Sequence, residues 1–89
     1  MISIETEYRG ARLKLDVSNP PRADLYINGI RRATETSDAS RGTVRLGSTV
    51  QTDYEWHEYI EAVVTFSDGA CRILLSANNQ TLLEETHQR

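Results

Sequence analysis

The sequence is poor in residues that would cross-link a fold, anchor it in a membrane or give it a broad positive charge. It has one cysteine, Cys71, so no disulfide can form within the chain. No apolar run approaches the roughly 20 residues that a membrane-spanning helix needs. Lysine occurs once among ten basic residues, and the net charge is −3. General nucleic-acid binders present a strongly basic face, so neither a membrane nor a nucleic acid is expected as a partner.

The length and the first residues of the chain limit its organisation and location. Eighty-nine residues are too few for two independent hydrophobic cores, so residues 1–89 are expected to form a single domain. The sequence shows no internal repeat. The first ten residues, MISIETEYRG, carry acidic side chains where a secretory signal peptide has a basic region followed by an apolar one. We therefore expect a cytoplasmic location.

The N-terminal segment ISIETEY-RG-ARLKLDV predicts a β-hairpin with a two-residue turn at Arg9-Gly10. One face of this hairpin is mainly apolar, with the pairs Ile2–Val17, Ile4–Leu15 and Thr6–Leu13. The opposite face joins acidic to basic residues, in the pairs Glu5–Lys14 and Glu7–Arg12. Because burial and cross-strand charge are independent patterns, their agreement predicts this register.

Three further dipeptides predict tight turns: Asn28-Gly29, Asp68-Gly69 and Asn78-Asn79. Asn and Gly suit such turns because both accept the positive φ of a type I′ turn. The last two turns predict a C-terminal meander of three strands. Across Asp68-Gly69 the expected pairs are Phe66–Cys71, Val64–Ile73, Ala62–Leu75 and Ile60–Ala77. Across Asn78-Asn79 they are Leu75–Leu82 and Leu74–Leu83, with Arg72 near Glu85.

These segments predict an all-β fold, a small antiparallel β-sandwich or partly open barrel of six to seven strands joined by tight hairpins. The segment 34–42, TETSDASRG, has one apolar residue and is expected to be a polar loop. The polar tail 86–89 is expected to fray. Gly47, inside an alternating segment, suggests a β-bulge.

The stretch from Asp53 to Glu61, DYEWHEYIE, holds the densest cluster of reactive side chains. A helix over residues 53–63 fits its spacing, but its β-branched and aromatic residues favour a strand. As a strand, it places His57 on one face with Glu55 and Glu61. These three residues are the candidates for a catalytic or metal site, because the carboxylates would favour protonated histidine. A solvated sheet face is the preferred interpretation, since one strand cannot supply convergent groups.

Two other residues of chemical interest fall on the opposite, apolar face of the predicted sheet. Glu58 is the charged residue on that face of its strand, and we expect it to reach solvent at the sheet rim or to pair with a buried arginine. Cys71 faces Phe66 and is expected to be a small buried apolar residue, since no histidine is placed to activate it. We therefore assign no catalytic residue and no metal site.

Four arginines form the candidate site for an anionic ligand: Arg31, Arg32, Arg41 and Arg45. Arginine can donate two parallel hydrogen bonds to a phosphate or carboxylate, and backbone amides near Gly42 would add further donors. The same residues also fit a polar surface loop. No cofactor is expected, since no glycine-rich phosphate loop opens a helix.

The sequence thus supports three functional hypotheses. The first is a non-enzymatic domain that acts through protein contacts or self-association, because an open sheet exposes unpaired backbone groups at its edges. The second is a small anion- or nucleotide-binding module that uses the loop arginines. The third is an enzyme or metal site centred on His57. We favour the first, with a homo-oligomer or another protein as the partner at an edge strand.

Overall fold

The computed structural model describes residues 2–18, 22–36, 42–51, 57–67 and 69–88. These residues form eight strands: β1 (Ile2–Tyr8), β2 (Ala11–Ser18), β3 (Arg22–Ile27), β4 (Ile30–Thr36), β5 (Gly42–Gln51), β6 (His57–Ser67), β7 (Ala70–Ala77) and β8 (Gln80–Gln88). The strands form two antiparallel sheets, in the orders β1-β2-β3-β4 and β5-β6-β7-β8. The all-β class is confirmed, but the predicted number of six to seven strands is wrong. The expected three-strand meander is part of a four-stranded sheet that also includes β5.

Strands continue into both segments for which the sequence predicts irregular structure. β4 ends at Thr36 and β5 begins at Gly42, so both ends of the expected polar loop pair with neighbouring strands. β8 ends at Gln88, so most of the expected frayed tail is paired as well. Polar side chains suit these strands because they lie at sheet edges, where both faces can meet solvent. Residues 37–41 lie outside the described residues.

Tight turns lie at Arg9-Gly10, Asn28-Gly29 and Asn78-Asn79, as the sequence predicts, while Asp68 of the fourth predicted turn lies outside the described residues. Positive φ angles occur at Arg9 (49°), Asn28 (52°) and Asn78 (49°), as type I′ turns require. Gly69 also has a positive φ, of 74°. The N-terminal hairpin and the hairpin around Gly69 contain every residue pair that was predicted for them. Both registers are therefore confirmed.

Two edge strands each contain one extra residue that has no cross-strand partner. A register shift bypasses Arg32 in β4, and an equivalent shift bypasses Leu82 in β8. Leu75 therefore pairs with Leu83, and the register predicted for the last hairpin is wrong by one residue. A turn determines register only as far as the first β-bulge, which inserts one residue into one strand. No bulge occurs at Gly47, where β5 and β6 pair without a shift.

The two sheets are structural repeats of each other, although the sequence shows no repeat. In each sheet, the first residue of the last turn is an asparagine that forms two hydrogen bonds with the second strand. Asn28 binds Arg12 in this way and Asn78 binds Tyr59, with a 2.8 Å backbone bond and a 2.9 Å bond to the side-chain oxygen. The bulge follows this turn at the same distance in both sheets. Strands β1 to β4 are thus equivalent to β5 to β8.

The inner faces of both sheets contribute to one hydrophobic core. Cys71 is buried in it opposite Phe66, as predicted. Ala11 and Glu58 occupy equivalent positions in the two sheets. Each comes directly before the residue, Arg12 or Tyr59, that binds the turn asparagine of its sheet. Ala11 is part of the core, whereas Glu58 is the single charged side chain that is buried among the described residues.

The stretch DYEWHEYIE is described only from His57 onward. Residues 57–67 form β6, and alternate residues from Glu58 to Phe66 face the core, as the strand interpretation predicts. Residues 52–56, which include Glu55 and Trp56, lie outside the described residues.

Candidate functional site

The described members of the candidate catalytic or metal site do not converge. His57 is exposed at the start of β6. Glu61 lies four residues further along the same face, about 13 Å away at the usual rise of a strand. Glu61 forms an ion pair with Arg45 at 3.9 Å, and Glu55 lies outside the described ranges. In the part of the chain that the structure describes, no three histidine, cysteine or acidic residues are grouped closely enough to hold a metal ion.

Tyr59 lies between His57 and Glu61 on this outer face. Its ring packs directly over Gly47 of β5, so a methyl group at position 47 would overlap the ring. The glycine thus makes room for an aromatic side chain on a regular ladder. Gly47 is therefore not the bulge residue that was predicted, but a residue whose missing side chain leaves space for the Tyr59 ring.

The candidate arginines have different surroundings. Arg32, the extra residue of the β4 bulge, donates a hydrogen bond of 3.1 Å to a carbonyl oxygen of β5. Arg45 pairs with an acidic residue of β6. Arg31 is exposed and lies opposite Tyr26 on the outer face of the first sheet. Arg41 lies outside the described residues.

A cleft of about 500 Å³ opens on the outer face of the first sheet. Its lining consists of Glu5, Thr6, Glu7, Arg12, Leu13, Lys14, Tyr26 and Gly29. β1 contributes acidic side chains and β2 basic ones, in the register that the sequence predicts. The Lys14 ammonium lies 5.4 Å from the centre of the Tyr26 ring. The charge pairs were predictable, but the cleft was not, because the place of Tyr26 depends on the pairing of β2 with β3.

Asp24 lies near this cleft, on the same outer face. It accepts a hydrogen bond of 2.6 Å from the Thr34 hydroxyl and pairs with Arg22 at 3.2 Å. Partial burial acts to raise its pKa, but the hydrogen bonds from Thr34 and Arg22, with the charges of Arg22 and Arg31, outweigh burial. The pKa of Asp24 is therefore lowered, and its carboxylate stays ionised as an acceptor for its neighbours.

The most unusual group in the molecule is the carboxylate of Glu58, which is 5 % exposed. Its Oε1 atom accepts three hydrogen bonds: from the Tyr8 hydroxyl at 2.8 Å, from Asn78 Nδ2 at 3.0 Å and from the Arg9 guanidinium at 3.1 Å. Its Oε2 atom is buried and has no hydrogen-bond partner among the described residues. Of the two expectations for Glu58, pairing with arginine is the one observed, although Arg9 itself is half-exposed.

The donors to Glu58 come from a strand end and two turns that are distant in sequence. Arg9 belongs to the turn after β1 and has a positive φ, which is uncommon for residues other than glycine. Its guanidinium also lies 5.3 Å from the centre of the Tyr8 ring. The hydrogen bond from Tyr8 to Glu58 and burial together raise the pKa of Tyr8, despite the opposing charge of Arg9. The hydrogen bonds from Tyr8 and Arg9 to this carboxylate thus link the first sheet to the second.

The edges of the two open sheets are protected to different degrees. β4 and β8 each contain a bulge, and each places a glutamate on the core-facing side: Glu35 opposite Ala23 and Glu85 opposite Ile73. Bulges and inward-facing charges are devices that protect a sheet edge from pairing with another chain. β5 is covered in another way, because β4 runs close beside it and donates a hydrogen bond to it.

β1 has none of these protective features. It pairs with β2 without a register shift, and its core-facing side chains are uncharged. Only Ile4 among them is fully buried; Ile2, Thr6 and Tyr8 are half-buried. β8 approaches β1 over a short part of its length, and among the described residues no backbone pairing joins the two strands. Among the described residues, no strand pairs with this outer edge of β1, which we call the free edge.

Comparisons of the chain with protein-family models, with curated proteins and with solved structures find no match. Within the described ranges, no helix has the length and apolar content to cross a membrane. Family membership thus assigns no activity to this chain.

Proposed function

We propose that this chain is a non-enzymatic protein-contact domain that binds an extended segment of another polypeptide at a sheet edge. The free edge of β1 is the observation that carries the proposal. An added strand satisfies the N–H and C=O groups that an edge leaves unpaired. In this proposal the two sheets act as the layers of a partly open sandwich, which is supported by the core that they share.

The backbone groups that a partner would meet follow from the first turn. A two-residue turn makes the residues that flank it, Tyr8 and Ala11, a hydrogen-bonded pair. Hydrogen-bonded and non-hydrogen-bonded pairs alternate along an antiparallel ladder. The N–H and C=O groups of Ser3, Glu5 and Glu7 therefore point away from β2. They offer a regular row of donors and acceptors to an incoming strand.

Amide exchange, measured by NMR on the ¹⁵N-labelled chain, tests strand addition. Extended heptapeptides of alternating apolar and polar residues are added, with the charge of the polar residues varied from peptide to peptide. We expect slower exchange at an edge strand when a peptide binds, because new hydrogen bonds protect its amides. Sedimentation equilibrium of the chain alone tests for self-association. A strictly monomeric chain whose edge amides no peptide protects would contradict the proposal.

A second candidate function is the binding of a small anion or nucleotide in the outer-face cleft. Lys14 on β2 and Arg31 on β4 lie directly opposite Tyr26 on β3, one on each side. An aromatic ring between two cations suits a planar ligand that carries a phosphate or carboxylate. Titration with inorganic phosphate and with a nucleoside monophosphate should shift the amide signals of these three residues. Unchanged signals at saturating ligand would exclude this site.

A further inference from the structure

We infer that β1 is the edge that receives the partner, and that the partner is a segment of a different protein in which basic and apolar residues alternate. This inference rests on the proposed function. It adds which edge binds the partner, which chemistry the partner has, and that the partner is not a second copy of this chain. Three observations carry it: the protection of the other edges, the two faces of β1 and the charges that two copies of β1 would bring together.

The choice of edge follows from elimination. Adding a strand to β4 or β8 would have to accommodate a bulge, which disrupts the ladder locally. It would also have to cover a glutamate on the core-facing side of the strand, either the exposed Glu35 or Glu85, which contacts His87 at 2.9 Å, and taking a carboxylate out of water is costly. The edge of β5 lies against β4 and accepts the hydrogen bond from Arg32. β1 is the one edge strand of the described fold that is regular, only slightly covered and free of inward charge.

The chemistry of the partner follows from the two faces of β1. Its core-facing side chains are largely apolar and only partly covered, so a neighbouring strand should place apolar residues on that side. Its outward side chains are Ser3, Glu5 and Glu7. Opposite charges on directly facing residues stabilise a ladder, so the same strand should place basic residues outward. β2 already has this pattern, with Arg12 opposite Glu7 and Lys14 opposite Glu5.

A second copy of the chain fits this edge poorly. Pairing β1 with β1 of another copy would bring the outward glutamates of both strands, Glu5 and Glu7, onto the same face of one small ladder. Like charges on neighbouring strands destabilise such a pairing. The charge of β1 therefore selects a basic partner and disfavours its own sequence.

Three peptides test the inference with the full chain. The first is an acetylated, amidated heptapeptide in which lysine or arginine alternates with valine or leucine. The second replaces each basic residue with glutamate. A third peptide has the composition of the first with the basic residues clustered at one end. We expect the first alone to bind, with slower amide exchange at Ser3, Glu5 and Glu7.

Two substitutions of Glu5 and one control substitution on β4 examine the same contact from the side of the domain. Glu5→Lys should weaken binding of the basic peptide about ten-fold, because an attractive cross-strand pair becomes repulsive. Glu35→Lys changes the net charge equally but lies on β4, and it should leave binding within about two-fold. Glu5→Pro removes an edge N–H that β2 does not use, so it should abolish binding while circular dichroism shows the fold intact. If Glu5→Pro does not fold, the comparison of the two lysine variants is still decisive.

The outcomes separate this inference from the proposed function. Equal or tighter binding of the acidic peptide, protection at β4, β5 or β8 instead of β1, or a homodimer joined through β1 would overturn the inference. Each of those results would leave strand addition itself standing. Absence of protection at every edge with every peptide, in a chain that stays monomeric, would overturn both.

Discussion

The two sheets have the same strand order, the same turn hydrogen bonds and the same bulge position, but they differ at two equivalent places. Where the first sheet has Ala11, the second has the buried Glu58. Where β5 is covered by β4, the equivalent strand β1 is only slightly covered by β8. Equivalent backbones therefore do not impose equivalent chemistry. The backbone position alone does not require a carboxylate, because alanine fills the equivalent position in the first sheet. Glu58 is accommodated by hydrogen-bond donors from other strands and turns.

The difference in connections explains part of this asymmetry. β1 and β2 are joined by the two residues Arg9 and Gly10, whereas five residues separate β5 from β6. The short turn brings Tyr8 and Arg9 to the end of the core, within reach of Glu58. The two sheets are thus joined at one end by a polar contact, while the edge of β1 stays open.

The largest expected effect tests whether the two sheets unfold as one unit. Leu25 and Leu75 occupy equivalent, fully buried positions three residues before the turn asparagines. Replacing either with alanine should lower the free energy of unfolding by about 3 kcal/mol, through lost burial and a residual cavity. Urea denaturation followed by circular dichroism should show a single transition for both variants. Two separate transitions would mean that the sheets are independent.

Removal of the buried carboxylate should have the next largest effect. Glu58→Ala should lower the free energy of unfolding by about 2 kcal/mol, because three donors lose a shared acceptor. Glu61→Ala on the same strand is the matched control. Its carboxylate pairs with Arg45 at the surface, so its loss should cost less than about 0.5 kcal/mol. Equal losses in the two variants would show that the Glu58 contacts add no stability.

The two turn asparagines offer a direct measure of the contact that differs between the sheets. Glycine at position 28 or 78 keeps the positive φ but removes the side-chain hydrogen bond to the backbone. Asn28→Gly should therefore cost about 1 kcal/mol. Asn78→Gly should cost about 0.5–1 kcal/mol more, because Asn78 also donates to Glu58. In a Glu58→Ala background this excess should vanish; if it persists, its cause lies elsewhere.

The smallest expected effect is a dependence of stability on alkaline pH. The hydrogen bond to Glu58 and burial raise the pKa of Tyr8, so the folded state holds the phenolic proton more tightly than the unfolded state. This contribution is fully present below the ordinary tyrosine pKa of about 10 and is lost as the pH rises through the folded pKa. Urea denaturation at increasing pH should show the stability advantage of the wild type over Tyr8→Phe shrinking across this range. Parallel curves would contradict the assignment.

Much of the fold was predictable because it depends on short-range pattern. The turn residues Arg9-Gly10 and Asn28-Gly29 accept positive φ, and alternation on either side of the first turn determines which residues face the core. The bulge at Leu82 was not predictable in this way. The segment QTLLEET has two adjacent leucines and two adjacent glutamates, so its pattern does not determine which residue lies outside the ladder, and the register of β8 was misjudged by one position.

The candidate site was less predictable than the fold. Glu58 stands out in the sequence as a charged residue on an apolar face, but its donors Tyr8 and Arg9 are 50 and 49 residues away. No local pattern connects them. The cluster around His57, which is conspicuous in composition, places its described members along one strand without bringing them together.

Local order in this protein, meaning its tight turns and the registers of the hairpins β1–β2 and β6–β7, follows from side chains within a few positions of one another. Steric limits on φ and the two-residue period of a strand act at that range. Three features depended instead on contacts between distant segments: the division into two equivalent sheets, the donors of Glu58 and the free edge of β1. They arise from which strands pack against each other, and packing joins residues that the chain itself keeps far apart.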